Sequence, residues 1–194
     1  TATETNDYLR LLFARIGVIH CPTCGQIVRA FRVEEISAAL AKIAAGTRMM
    51  IGFEVEHEGV ADEPSVQDRW TALRQNGFAR LVALDQTYDL AESPAHLPPL
   101  PWFVIVDRLT AGSDSGRQRD SLETSLRQGK GRCVVAVHAE VAQVDSAQPR
   151  TIDDNFWQIL SFASALRCGS CGRDFRPLEP REFSFNSSLG ACST

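Results

Sequence analysis

The sequence predicts an α+β fold, a compact block of mixed strands and packed helices flanked on each side by a CxxC segment. Three observations predict it. Between about 32 and 155 the apolar residues switch repeatedly between helical spacing and short runs of strand length. Two CxxC pairs, Cys21/Cys24 and Cys168/Cys171, stand on either side of that block. The 194 residues are 44% hydrophobic and 23% charged, which suits one good core, or one core and a small satellite.

The elements follow in order. Tyr8, Leu9, Leu12, Phe13 and Ile16 form a helical stripe that Gly17 can end. The first CxxC follows, in His20-Cys21-Pro22-Thr23-Cys24-Gly25. Val33, Ile36, Leu40 and Ile43 predict a second helix stopped by Gly46, and Met49 to Val55 is apolar and short enough for a strand. Ser65 is an expected N-cap for a helix that buries Val66, Trp70 and Leu73 and ends at Gly77. Phe78 to Leu84 and Thr87 to Leu90 read as strands around Asp85-Gln86. Four prolines between Glu92 and Pro101 demand a loop or an edge connection. Phe103 to Arg108 reads as a strand, Gly112 to Gly116 as a mobile turn, and Arg119 to Gln128 as a helix with Leu122 and Leu126 inward. Cys133 to His138 and Val141 to Val144 are expected to pair as strands. Beyond about 155 an apolar stretch, Phe156 to Leu166, leads to the second CxxC.

Charge and composition exclude several functions. A net charge of -4 argues against a chain that grips duplex DNA over its whole surface, because phosphate neutralisation needs a basic face. No apolar run reaches the roughly 18 to 20 residues that span a bilayer, and no export signal precedes the cysteines, so a reducing cytoplasm is expected. Gly129-Lys130-Gly131 lacks the upstream glycine and following Ser/Thr of a phosphate-binding loop, so this chain is not expected to bind ATP by itself. The histidines, at 20, 57, 96 and 138, have no ligand spacing, and the carboxylates form no acid/base motif.

The cysteines point to zinc. Thiolates two residues apart can share one tetrahedral ion while the chain turns between them, and the glycines at 25 and 172 ease that turn. Two ligand sets are open. Cys168, Cys171 and Cys192 have the spacing of a four-cysteine module whose fourth ligand would lie just past Thr194. Alternatively, Cys21, Cys24, Cys168 and Cys171 meet. Cys-Pro-Thr-Cys also matches a thioredoxin-like redox motif, but no long helix is expected to follow it and no βαβ unit precedes it. Cys133, in a valine-rich strand, is expected to be core packing.

Both flanks carry longer motifs. Asp7-Tyr8-Leu9-Arg10-Leu11-Leu12-Phe13-Ala14-Arg15-Ile16-Gly17 precedes the first CxxC. Leu178-Glu179-Pro180-Arg181-Glu182-Phe183-Ser184-Phe185-Asn186 follows the second, and then Gly190-Ala191-Cys192. These stretches resemble the exit from and return to the first ATP-binding domain in the UvrA family, the damage-recognition ATPases of bacterial nucleotide excision repair. Between them, Gln75-Asn76-Gly77-Phe78-Ala79-Arg80, Ile105-Val106-Asp107-Arg108 and Ser121-Leu122-Glu123-Thr124-Ser125-Leu126 are similar to that family's UvrB-binding domain. The resemblance implies an exit segment at 1–31, a UvrB-binding domain at 32–155 and a return segment at 156–194. It implies that Arg80 and Arg108 contact UvrB, with Arg74 a weaker candidate. ATP turnover, damaged-DNA binding and homodimerisation would belong to the full-length protein. Two departures stand out: Cys24 occupies a position where relatives often have histidine, and Gly59 to Pro64 is acidic where many have lysines.

From the residues alone, Arg80 or Arg108 in an apolar strand would more readily make an internal salt bridge, to Asp85 or Asp107. A regular strand would put Phe78, Val82 and Leu84 on the face of Arg80, and Val104 and Val106 on that of Arg108. The main competing function is a zinc-dependent nucleic-acid-binding module, against which the acidic balance counts.

Overall fold

The structure, a computed structural model, describes residues 2–57, 59, 62–92, 94–138, 147–168 and 171–191. The chain divides into two compact units, one of residues 1–30 with 165–194 and one of residues 31–164.

The larger unit is built on a strand that is apolar on both faces. β3 (Arg48–Val55) buries Met49, Met50, Ile51 and Phe53, so both sides must be covered. It lies between β6 (Trp102–Thr110) and β7 (Arg132–His138), antiparallel to each. Adding β4 (Arg80–Ala83), β5 (Gln86–Asp89), β8 (Gln148–Ile152) and β9 (Asn155–Ala163) gives a seven-stranded sheet in the order β5-β4-β6-β3-β7-β9-β8.

Three helices cover one face. α2 (Val33–Leu40) delivers Ile36 and Leu40, and α4 (Ser115–Gln128) delivers Leu122, onto Met49, Ile51, Leu109, Val135, Val137 and Phe162. α3 (Val66–Gln75) sets Trp70 and Leu73 against Phe53, Leu81, Trp102 and Val104. The expected cap holds α3: the Ser65 hydroxyl accepts from the Asp68 N–H at 3.1 Å, and the Asp68 carboxylate accepts from the Ser65 N–H at 3.3 Å.

The other face is covered by curling. Met50, Val82, Phe103, Ile105, Val134, Ala136, Ile152 and Trp157 form its cluster, to which, among the described residues, no helix contributes. Ile152 comes from one edge strand and Val82 from the strand next to the opposite edge, so the sheet bends its two margins together. Where they meet, Asp153 accepts from the Thr87 N–H at 2.8 Å and hydroxyl at 2.6 Å, and the Asp153 N–H donates to the Asp85 carbonyl at 2.9 Å.

Several expectations are corrected. Asp114 accepts from the Gly116 and Arg117 N–H groups, so the helix expected from Arg119 begins at Ser115 and absorbs part of the expected turn. The helix expected to run from Val33 through Ile43 ends at Leu40, although Ile43 is still buried. β7 pairs with β3 and β9; Val141 to Val144 lie outside the described residues. β8 had no sequence signal, and the stretch from 156 to 163, read with the return segment, is a strand of the central sheet. β6 is also not regular: Ile51 pairs with Asp107 and Gly52 with Ile105, so Val106 is an extra, bulged residue. The bulge puts Arg108 opposite Met50, on the face of Phe103 and Ile105, and not with Val104. Phe78 precedes β4 and packs in the helix-side cluster, and Leu84 lies in the β4–β5 turn, so only Val82 shares the face of Arg80.

The bulge needs Gly52. A Cβ there would sit 2.0 Å from the Val104 carbonyl oxygen and 2.8 Å from the Phe103 ring, while the Gly52 carbonyl accepts from the Ser125 hydroxyl of α4. On β6, Asp107 takes a fork from Arg117 at 2.8 and 2.7 Å and accepts from the Ser121 hydroxyl at 3.0 Å.

In the smaller unit, α1 (Ala2–Ile16) ends where the Gly17 N–H returns to the Phe13 carbonyl. Phe13 stacks on Phe183 of a short 3-10 helix (Pro180–Phe183) at 5.8 Å, while Tyr8, Leu9, Leu12 and Ile16 of the expected stripe are exposed.

Two outcomes are expected. Gly52→Ala will destabilise the chain by about 1–3 kcal/mol in urea unfolding, because backbone and ring atoms must shift to admit the methyl. Burial pushes the Asp107 carboxyl up, but the Arg117 fork, the Ser121 hydroxyl and the Arg108 N–H outweigh it and hold the carboxyl below its usual range. Its contribution is therefore full above the unfolded carboxyl pKa of about 3.9 and is lost as pH falls through the lower folded value. Asp107→Asn will be less stable than wild type at neutral pH, and the gap will narrow in acid-titrated thermal melts.

Candidate functional site

Two constellations bear on function, one in each unit. The first is a cysteine cluster. β1 (Ile19–His20) and β2 (Ile27–Val28) form a small hairpin whose turn is the first CxxC. The Cys21 N–H donates to the Gln26 carbonyl and the Gly25 N–H returns to the Cys21 carbonyl, both at 2.8 Å. The second CxxC repeats the pattern: the Cys168 N–H donates to the Arg173 carbonyl at 2.9 Å, and the Gly172 N–H to the Cys168 carbonyl at 3.0 Å. Both glycines take a left-handed conformation, with φ of 74° at Gly25 and 69° at Gly172, which is why glycine follows each second cysteine. A bridge between Arg29 and Arg167 sets the two turns side by side.

The result is four sulfurs in one place. Sγ of Cys21, Cys24, Cys168 and Cys171 all lie within 4.8 Å of one another, with Cys21–Cys171 and Cys24–Cys168 at 3.4 Å. A tetrahedral ion with metal–sulfur bonds of about 2.3 Å needs sulfur–sulfur edges of about 3.8 Å, so the donor set fits zinc in type, number and spacing. Of the two ligand sets open in the sequence, this is the one brought together; Cys192 lies outside the described residues. Burial pushes the Cys21 thiol up, but N–H groups of Cys24 and Thr23, with the Cys171 and Cys24 sulfurs, outweigh it and bring it to about 6. The Gln26 N–H favours a Cys24 thiolate, yet the Cys168 sulfur and burial push that thiol up to about 12. One thiolate among crowded thiols is what a cation would relieve. The first CxxC opens no helix, so the thiolate-stabilising helix end of a redox motif is missing. The His20 Nδ1 lies 3.3 Å from the Gly25 carbonyl oxygen.

The second constellation is a pair of arginines. Arg80 opens β4 opposite Ile105, and Arg108 lies further along β6 opposite Met50. Cross-strand partners share a face, so both guanidinium groups rise from the face of the sheet to which, among the described residues, no helix contributes, and both residues are exposed. Their expected internal partners are engaged elsewhere, since Asp107 holds Arg117 and Asp85 faces Arg150 at 4.0 Å. Among the described residues neither arginine has a carboxylate within ion-pair distance. Partial burial, then the charge of Arg80, push the Arg108 guanidinium below its ordinary value, against the opposing field of Asp153. Arg74 is exposed on α3, which packs on the opposite face, so it does not join the pair.

Sequence reading missed three neighbours of this face. Asp153 and Thr87, which clasp the sheet margins, are 66 residues apart and show no pattern before the fold brings them together. Glu54, paired opposite Phe103, is half-buried, and burial followed by the charge of Glu56 pushes its carboxyl up against Arg132 and Arg150. Cys133 is fully buried, as expected of packing, and burial pushes its thiol up to about 12. Among the described residues no helix is long and apolar enough to cross a membrane.

Comparison with known proteins identifies the family. Residues 32–139 match the family described as the UvrA interaction domain. The chain is 31% identical to UvrABC system protein A of Clostridium perfringens, over 99% of its own length and 19% of the relative's. It is 33% identical to the protein of the same description from Streptococcus mutans, over 100% of the chain and 19% of the relative. It is also 33% identical to that from Streptomyces coelicolor, over 99% and 18%. The chain thus spans about a fifth of the length of the curated relatives it matches. With more than half of its residues inside that interaction domain and nearly all of it aligned to these proteins, the chain belongs to the UvrA family.

Proposed function

We propose that residues 31–164 are the surface through which a UvrA-type damage-recognition ATPase docks UvrB, and that Arg80 and Arg108 carry the contact, with Arg74 outside it or at its rim. The observation behind this reading is the unneutralised pair itself. Two guanidinium groups rise from one exposed face above an apolar cluster, and neither is ion-paired among the described residues; even Asp89, opposite Arg80 on β5, turns its carboxylate to the Ala91 N–H. An arginine fork with a packed stem is suited to pairing with a partner's carboxylates, and it contributes most where the contact excludes water. The matched family is itself described as an interaction domain. ATP turnover, binding of damaged DNA and homodimerisation are assigned to the full-length protein, and nucleotide excision repair is the process served.

The four-cysteine cluster is proposed to hold one structural zinc ion, closing the unit of residues 1–30 and 165–194. Zinc would supply no chemistry to a substrate there. Its role is to fix two turns that otherwise have little apolar core, since the cluster around them is Cys21, Val28 and Cys168 with a few partly buried neighbours.

Calorimetric titration of the chain with UvrB tests the docking surface. Arg80→Glu and Arg108→Glu are each expected to weaken binding by more than about 1–2 kcal/mol, roughly tenfold, with the fold intact. Unchanged affinity in both variants would remove the assignment. For the metal, chain purified under reducing conditions should carry one zinc by elemental analysis. Cys21→Ser and Cys168→Ser should each lose it and Cys192→Ser should keep it; zinc loss on Cys192→Ser would favour the other ligand set. Chelation should lower the thermal midpoint of the wild type.

A further inference from the structure

We infer that Asp153, at the tip of the β8–β9 hairpin, is a built-in attenuator that sets how strongly the Arg80–Arg108 pair attracts an acidic partner. The inference rests on the docking reading above. Placement comes first. Ile152 and Trp157, on either side of the turn, pack in one cluster with Met50 and Ile105. Met50 is the cross-strand partner of Arg108, and Ile105 that of Arg80. The hairpin tip is therefore folded over the face from which both guanidinium groups rise.

Next comes the manner in which the tip is held. Asp153 and Asp154 are both left-handed, with φ of 49° and 60°, the conformation of a tight two-residue hairpin turn. Aspartate tolerates it better than most residues. The Asp153 carboxylate accepts two hydrogen bonds from Thr87, through N–H at 2.8 Å and Oγ1 at 2.6 Å, and its own N–H is held by the Asp85 carbonyl. Tied on both sides, the carboxylate cannot swing across to form a salt bridge, and among the described residues it makes none with either arginine. Its charge nevertheless reaches Arg108, where it opposes the repulsion from Arg80.

A fixed negative charge whose field reaches Arg108, itself coupled to Arg80, has a definite effect on an approaching carboxylate. The partner meets the attraction of the pair less the repulsion of Asp153, and docking cannot displace the aspartate because its bonds run to Thr87. Asp153 thus limits affinity for any acidic segment and suppresses binding of those that fit poorly.

Asparagine separates the charge from the clasp. Its Oδ1 can accept from the Thr87 N–H, and its Nδ2 can donate to the Thr87 hydroxyl. Biolayer interferometry of the chain against UvrB, at low and moderate salt, is expected to show Asp153→Asn binding about three- to tenfold tighter than wild type at low salt. The gain should lie mainly in faster association, shrink as salt rises, and leave the thermal midpoint unchanged. Should that variant melt earlier, Asp153→Gly, which takes the left-handed turn without strain, removes the same charge together with the Thr87 clasp and is held to the same gain in association at a temperature where it is folded. Equal or weaker binding in a variant that folds as wild type overturns the inference. Arg80→Glu and Arg108→Glu run alongside. If they too leave affinity unchanged, the docking reading fails; if they weaken binding while Asp153→Asn is neutral, the attenuator alone fails.

Discussion

Strand β3 is apolar on both faces, and most of the architecture of the larger unit answers the need to keep water from each. Burying an aliphatic or aromatic side chain of this size contributes about 1.5–3 kcal/mol, so leaving either face open would forfeit several such terms at once. Helices satisfy one side. On the other, no helix among the described residues is at hand, and the sheet satisfies itself by drawing its margins together, with Ile152 reaching the cluster of Val82 and Phe103. The Thr87–Asp153 clasp lies at the line of closure. Because closure serves the core and not the rim, it leaves Arg80 and Arg108 at the exposed part of that face.

The smaller unit obeys a different constraint. It has little buried apolar surface, and its ordering centres on two turns that place four thiols within 4.8 Å. Those turns share one hydrogen-bond pattern, with a carbonyl of the first cysteine capped by the glycine four residues on. Short chains with so small a core commonly draw their stability from a metal or a crosslink. The two units thus rely on separate sources of cohesion, water exclusion in one and sulfur chemistry in the other.

Much of this was legible in the residues, for local reasons. Ser65 with Asp68, the Val33-Ile36-Leu40 spacing, the proline-rich loop and the apolar run of β3 each carry their cause within a few positions. The CxxC pairs were equally plain, but which cysteines meet depended on two turns 147 residues apart coming side by side, and spacing alone left that open. What stayed hidden was long-range or irregular. β8 begins with Gln148-Pro149-Arg150, which has no strand signature and pairs only because β9 offers an edge. The partnership of Asp153 with Thr87 follows from curling that no window of sequence contains. Nor does anything in Ile105-Val106-Asp107 announce that a residue will be squeezed out of register.

That squeezed residue has a wide reach. In a regular strand, Asp107 would continue the side of Phe103 and Ile105, and Arg108 the side of Val104. The extra position at Val106 exchanges them, delivering the carboxylate to α4 and the guanidinium to the outer world. Two opposite charges, adjacent along the backbone, are thereby assigned to separate duties, one as internal anchor and the other as outward probe. A single surplus amino acid accordingly decides which sign of charge this side of the molecule shows to its surroundings.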